Sequence, residues 1–228
     1  MTTSLVVGGT GGLGHALAVR FAARGDDVIV TSRSLPRALA AAAEIGPSVR
    51  GLALDLGAPE TIEASLAGVG SVDNVVITAI GQFPNSLKAF NITEAIASIT
   101  VKLVGYTETV RVLHSRLAPG GSVVLFGGVA KDRPYPGSTM VTTFNGGISG
   151  LVKTLAVEIA PHRVNAIHPG VVGDSPKWRD VPDHPAIRRT PIARLVTVDE
   201  IVDATEFLLR NSGINAHELD VNGGTLAT

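Results

Sequence analysis

Cysteine is absent from the 228-residue chain, which excludes disulfide staples, thiolate nucleophiles and cysteine-ligated metal centres together. Aromatic residues are scarce at 4%, so the core must be built from Ala, Val, Leu and Ile. Charge is scarce as well, at 17% of residues against roughly a quarter in an ordinary soluble domain. The 19 Lys+Arg nearly balance the 20 Asp+Glu, a net charge of −1, and leave no electrostatic footprint for nucleic acid or an anionic membrane. Long hydrophobic runs are missing. Residues 2–19 are uncharged but glycine-broken and lack the basic region of a signal peptide. Residues 134–152 are uncharged but too often interrupted by Pro, Gly, Ser, Thr and Asn to span a bilayer. The expectation is a soluble, cytoplasmic protein with no nucleic-acid or membrane partner.

What remains is 45% hydrophobic, enough for a substantial core and too much for disorder. Its pattern alternates strand and helix. Leu5–Val7, Val28–Val30, residues 49–54, residues 72–77, Ser122–Phe126, Arg163–His168 and Glu218–Val221 read as strands. Between them lie helical patterns from Leu13 to Phe21, over 37–45, from Pro59, from Asn91 to about Ala118, over about 141–160, and from Thr197 to Arg210. Asn91 with Glu94, and Thr197 with Glu200, have capping spacing. Strands apolar throughout and separated by helices imply an α/β domain, a doubly wound parallel sheet covered on both faces. No composition break divides the chain, so residues 1–228 read as one domain. The stretch of about 173–196 holds Pro176, Pro182, Pro185 and Pro191 and is too long for a plain connection, which suggests a substrate loop or lid. Trp178 lies in it, to cover a substrate or to anchor the loop on the core.

Chemistry enters after the first strand. Val7-Gly8-Gly9-Thr10-Gly11-Gly12-Leu13-Gly14 stands between that strand and the first helix. Such a turn presents backbone N–H groups and a helix N-terminus to phosphate, and glycine allows a dinucleotide to approach closely. The second strand ends Ser32-Arg33-Ser34, with no acid to accept from a ribose 2′-hydroxyl. A guanidinium flanked by two hydroxyls suits a 2′-phosphate, which selects NADP(H) over NAD(H).

With these features the chain resembles the short-chain dehydrogenase/reductase family over nearly its full length. Gly8, Gly12 and Gly14 match that family's nucleotide motif, with Val7 where Thr is usual. Asp55-Leu56 looks like its adenine-contacting dipeptide, and Thr78-Ala79-Ile80-Gly81 occupies its Asn-Asn-Ala-Gly position without the asparagines. Arg163–Gly170 is close to its Arg-Val-Asn…Pro-Gly segment, and Leu219–Gly224 to its last strand, with Asn222 for the usual Asp. The resemblance implies a Rossmann-type, seven-stranded sheet of order 3-2-1-4-5-6-7 with ligand beyond the strand ends. It implies cofactor contacts from Gly8, Thr10, Gly12, Leu13, Gly14, Ser32, Arg33, Ser34, Asp55, Leu56, Thr78, Ala79, Ile80, Asn145, Pro169, Gly170 and Val172. It also implies a homodimer or homotetramer.

The family's proton chemistry rests on a Tyr, a Lys four residues later, a Ser and an Asn. Counting from the flanking matches puts Val141 at the Tyr position, Asn145 at the Lys, Gly128 at the Ser and Lys102 at the Asn. All four depart. Val cannot transfer a proton, so the usual acid/base route is closed at these positions. Lys and Asn look exchanged between 102 and 145, and Lys102 with Asn145 are the candidate catalytic pair of a rebuilt site. Tyr106 lies one turn from Lys102, and Tyr135, Ser138 and Thr142 are nearby hydroxyls. The leading reading is an NADP(H)-dependent oxidoreductase acting on a small carbonyl or alcohol. A catalytically silent NADP(H)-binding protein and a non-redox lyase or isomerase on the same scaffold are the alternatives.

Other motifs are missing. There is no Gly-x-Ser-x-Gly elbow and no Gly-Lys-Ser/Thr phosphate loop. The six histidines show no helix-spaced pair, so no metal is expected.

Overall fold

The computed structural model describes residues 1–81 and 85–227. Its seven strands are β1 (Thr3–Val7), β2 (Asp27–Ser32), β3 (Val49–Ala53), β4 (Val72–Ile77), β5 (Leu117–Phe126), β6 (Arg163–Pro169) and β7 (Glu218–Val221). They form one sheet in the order β3-β2-β1-β4-β5-β6-β7, with every neighbouring pair parallel. Helices α1 (Gly12–Ala23), α2 (Leu35–Ile45), α3 (Ile62–Ser65), α4 (Ile92–Ile99), α5 (Tyr106–Leu113), α6 (Thr139–Glu158) and α7 (Val198–Arg210) connect them.

The apolar strands supply both faces of the sheet, because successive side chains point to opposite sides. Leu5, Val7, Ile29, Val75 and Val123 pack with α3, α5 and α6 on one face. Val6, Val28, Val30, Val76 and Val124 pack with α1 and α7 on the other. Both capping patterns form: the Asn91 side chain accepts from Glu94 N–H at 3.1 Å. Thr197 Oγ1 accepts from Glu200 N–H at 3.2 Å, while Thr197 N–H donates to Glu200 Oε2 at 2.9 Å.

Several boundaries differ from the sequence reading by a few residues, and two of the differences have a plain physical cause. The helix that starts at Ile92 ends at Leu113, short of Ala118, because Leu117 pairs with Val72 and is drawn into the core as the first residue of β5. α6 ends at Glu158 rather than near 160, since Pro161 disfavours helical backbone in the residue before it. The long helix also carries a feature no periodicity announced, a π-helical turn over Thr100–Gly105 that separates α4 from α5. Gly105 in that turn is obligatory: a Cβ there would fall 2.5 Å from the Leu56 carbonyl oxygen.

The segment 173–196 is pinned at both ends. Val172 bridges to Val196, and Gly173 N–H donates to Val196 O at 2.9 Å. Within it Pro185–Arg189 forms a 3-10 turn, and Trp178 meets His184 edge-on at 4.6 Å. No helix among the described residues is long and apolar enough to cross a membrane.

Candidate functional site

A cavity of about 570 Å³ opens where β1 and β4 diverge, at the C-terminal ends of the strands. Crossovers leave this crevice in doubly wound sheets, and ligands bind there. Its floor is the turn from β1 into α1. Gly8 has φ +88°, and a Cβ on it would lie 2.9 Å from the Ala79 backbone. A Cβ on Gly14 would lie 2.3 Å from the Gly8 carbonyl oxygen and 2.6 Å from Thr78 Oγ1. The turn is therefore locked against the β4 loop at both ends. Gly12 is different: its φ is +51° with open space beyond it. α1 starts with neither a capping side chain nor an acid in its first turn, so its N-terminal amides stay available to an anion.

The structure brings Gly8, Thr10, Gly12, Leu13, Gly14, Ser32, Arg33, Asp55, Leu56, Thr78, Ala79 and Ile80 together around this cavity. Ser34 stays outside the lining as the N-cap of α2, its N–H on Ser32 Oγ at 3.3 Å. Pro169 ends β6 and Gly170 and Val172 follow it; these three, together with Lys102 and Asn145, lie outside the lining. Gly170 N–H is held by Val221 O at 2.9 Å. The sequence reading missed Arg37 and Val101, which also line the cavity. Arg37 sits in the first turn of α2, four residues after Arg33, which precedes the helix, so no helical spacing pointed to it. Both arginines are exposed, and neither forms an ion pair with a described residue. Asp55 turns its Oδ1 to Gly57 N–H at 2.8 Å.

A second group of polar residues is buried beside the β5 end. Lys102, in the π turn, is only 2% exposed. Its Nζ donates to the Tyr106 hydroxyl at 3.0 Å, and that hydroxyl donates to the Ala79 carbonyl at 2.8 Å. Burial pulls the Lys102 amine down to about 7, so it changes charge near neutral pH. Burial also pushes the Tyr106 phenol above its ordinary value, so it remains a neutral relay between the lysine and the β4 loop. Tyr106 is thus both a packing residue and a hydrogen-bond link.

Asn145 on α6 is buried, and its Oδ1 has no hydrogen-bond partner. Its Nδ2 lies 3.0 Å from where a Gly128 Cβ would stand, so Gly128 and Asn145 fit one another. Tyr135 is 56% exposed, and Ser138 and Thr142 are 3.0 Å apart in the first turn of α6, each serving the other. Among the described residues no group of His, Asp and Glu is placed to hold a metal ion.

The chemistry of this donor set suits a dinucleotide. A glycine cradle and a free helix N-terminus would receive phosphates, and two guanidiniums without ion pairs among the described residues, Arg33 just past β2 and Arg37 in α2, line the same cavity. The comparisons agree with the fold. A family model described as Enoyl-(Acyl carrier protein) reductase matches residues 8–225. L-xylulose reductase of Bos taurus is 31% identical over 238 residues, covering 99% of this chain and 96% of its own. Dehydrogenase/reductase SDR family member 4 of Homo sapiens is 31% identical, covering 97% of this chain and 86% of its own. A solved short chain dehydrogenase/reductase family protein superposes with TM-score 0.89 at 29% identity, covering 100% of this chain and 98% of that one. Members of that family use nicotinamide cofactors. With its strand order, its glycine turn and this full-length similarity, the chain belongs to the short-chain dehydrogenase/reductase family of oxidoreductases.

Proposed function

We propose that the protein is an NADP(H)-dependent oxidoreductase that interconverts a small carbonyl and its alcohol through a site rebuilt around Lys102. The observation that carries the reading is Lys102 itself, a fully buried amine held near neutral pH and hydrogen-bonded to Tyr106. Such a group is matched to proton transfer at physiological pH.

NADP(H) is preferred because Arg33 and Arg37 line the cavity and no acid ends β2. Two guanidiniums pair with a 2′-phosphate, and an acid there would instead have favoured a free ribose hydroxyl. A bound nicotinamide supplies the hydride for the carbonyl carbon. Lys102 supplies the proton for the carbonyl oxygen in the reducing direction and takes it back in the oxidising one. Tyr106 holds Lys102 and ties it to Ala79 at the cavity wall. Asn145 offers its unpartnered Oδ1 to a hydroxyl. Pro169, Gly170 and Val172 would flank the nicotinamide end of the cofactor, and the 173–196 segment would cover the substrate. The small-carbonyl class is supported by a relative whose name is L-xylulose reductase.

Apolar exposure at Ile92, Ile96 and Val104 on the long helix, and at Val157 on α6, supports a homodimer or homotetramer. The test is calorimetry with NADPH and NADH, run beside NADPH oxidation at 340 nm (a property of the cofactor) over a panel of small ketones and aldehydes. Tight NADPH binding with turnover supports the reading. Binding without turnover on any carbonyl would replace it with a nucleotide-binding protein, and absence of binding would remove both.

A further inference from the structure

His168, the penultimate residue of β6, is completely buried and is used by none of the chemistry above. Its ring is built into the end of β5. Nδ1 accepts from Gly128 N–H at 3.0 Å. A Cβ on Gly127 would stand 2.3 Å from both Cε1 and Nδ1 of the ring, so Gly127 is the space the imidazole occupies. Gly128 in turn makes the space for the Asn145 amide. The two consecutive glycines therefore serve two different side chains, one from β6 and one from α6.

Because Nδ1 accepts, a neutral His168 carries its hydrogen on Nε2. That nitrogen faces β7: it lies 3.2 Å from Glu218 Oε2, at ion-pair distance but off the line of a hydrogen bond. Glu218 is held in place by the Ser149 hydroxyl and by Lys131 and Lys153, each 3.8 Å away. The groups facing His168 are thus Glu218 from β7 and, as charges, Lys131 beyond β5 and Lys102 from the π turn. Asp220 is its pairing partner in the strand register. Burial first, and then the Lys131 charge, lowers the imidazole to about 4, so the ring is neutral under ordinary conditions.

We infer that His168 is a positioning residue: as a fixed Nε2–H tautomer it holds the Gly128 amide, and through Gly128 it sets where Asn145 sits. The inference rests on the proposed reading for its effect on turnover, but its structural half does not. It links the last strand to the site through Glu218, His168, Gly128 and Asn145.

The test has two parts. In the uniformly 15N-labelled full chain, ring-nitrogen shifts report the tautomer and charge of His168, and amide exchange reports Gly128. At pH 7 the neutral Nε2–H form is expected, with Gly128 protected. An imidazolium or an Nδ1–H tautomer would overturn the inference without any mutation. In His168→Leu, Gly128 exchange should quicken by about threefold to tenfold, the factor that the loss of one hydrogen bond converts to. In His168→Asn, whose Oδ1 replaces the Nδ1 acceptor, protection should return. If the enzyme turns over, kcat should fall in the Leu variant and recover in the Asn variant. Unchanged Gly128 exchange in His168→Leu would refute the positioning role. Should the Leu variant fail to fold, the wild-type shifts and the Asn variant decide. Failure of every variant and the wild type to reduce a carbonyl, with the exchange result intact, would fall on the proposed function alone.

Discussion

Lys102→Met separates a lysine kept for chemistry from one kept for structure, because the two give opposite signs in stability. Met nearly conserves the volume of the lysine stem, so it leaves no cavity. The wild-type amine has its native pKa lowered from 10.5 to about 7 by burial. Between those values the unfolded chain binds more protons than the native one, so wild-type stability rises with pH through that window. At pH 7 the burial cost amounts to roughly 4 kcal/mol, and at pH 9 to roughly 2 kcal/mol. Tyr106 loses one donor in the variant, a loss of about 1 kcal/mol, but keeps its own bond to Ala79. The net expectation is a stabilisation of about 3 kcal/mol at pH 7, which shrinks to about 1 kcal/mol at pH 9. For a chain of this length that is a rise in Tm of roughly 6–12 °C at pH 7. Urea denaturation at the two pH values measures it, with a shift in midpoint at constant slope. A variant less stable than wild type at pH 7, or a difference that does not change with pH, would mean that burial imposes no such cost on the Lys102 amine.

Three further outcomes follow from the cavity. Replacing Arg33 and Arg37 together by Ala should weaken NADPH by about 10–100-fold, the loss of charge-assisted bonds to phosphate, and leave NADH unchanged by calorimetry. Equal loss for both cofactors would remove the 2′-phosphate assignment. Gly14→Ala puts a Cβ 2.3 Å from the Gly8 carbonyl, so it should destabilise the fold by about 1–3 kcal/mol and weaken both cofactors alike. Gly128→Ser should not raise activity. Its Cβ meets Asn145 Nδ2 at 3.0 Å, so it should cost about 1 kcal/mol, relieved when Asn145→Ala is added; additive losses in that cycle would show the two do not interact.

The sheet order follows from the family resemblance and is the one observed, whereas both capping motifs and the glycine turn were legible because each depends on local spacing, and each appears where expected. The end of the long helix was not, because Leu117 joins β5 through its pairing with Val72, a contact 45 residues away in sequence. The site divides the same way. Arg33 follows directly from its strand end, but Arg37 lines the cavity only because α2 turns it back beside Arg33. Lys102 was found by counting, yet its bond to Tyr106 and its burial depend on the π turn, which arises where the helix approaches Leu56 closely enough to require Gly105. Nothing in the local spacing marks Gly127 and Gly128 as the space taken by His168 from β6 and Asn145 from α6.

The central claim is that Lys102 delivers the proton. Its most direct test is kcat for NADPH-dependent carbonyl reduction followed from pH 5.5 to 9 in wild type and Lys102→Met, with saturating cofactor. Reduction needs the ammonium form, so wild-type kcat should fall as pH rises through about 7. The variant should bind NADPH normally, lose about 10²–10⁴ in kcat and show no such limb. A Lys102→Met enzyme that turns over like wild type across that range would contradict it.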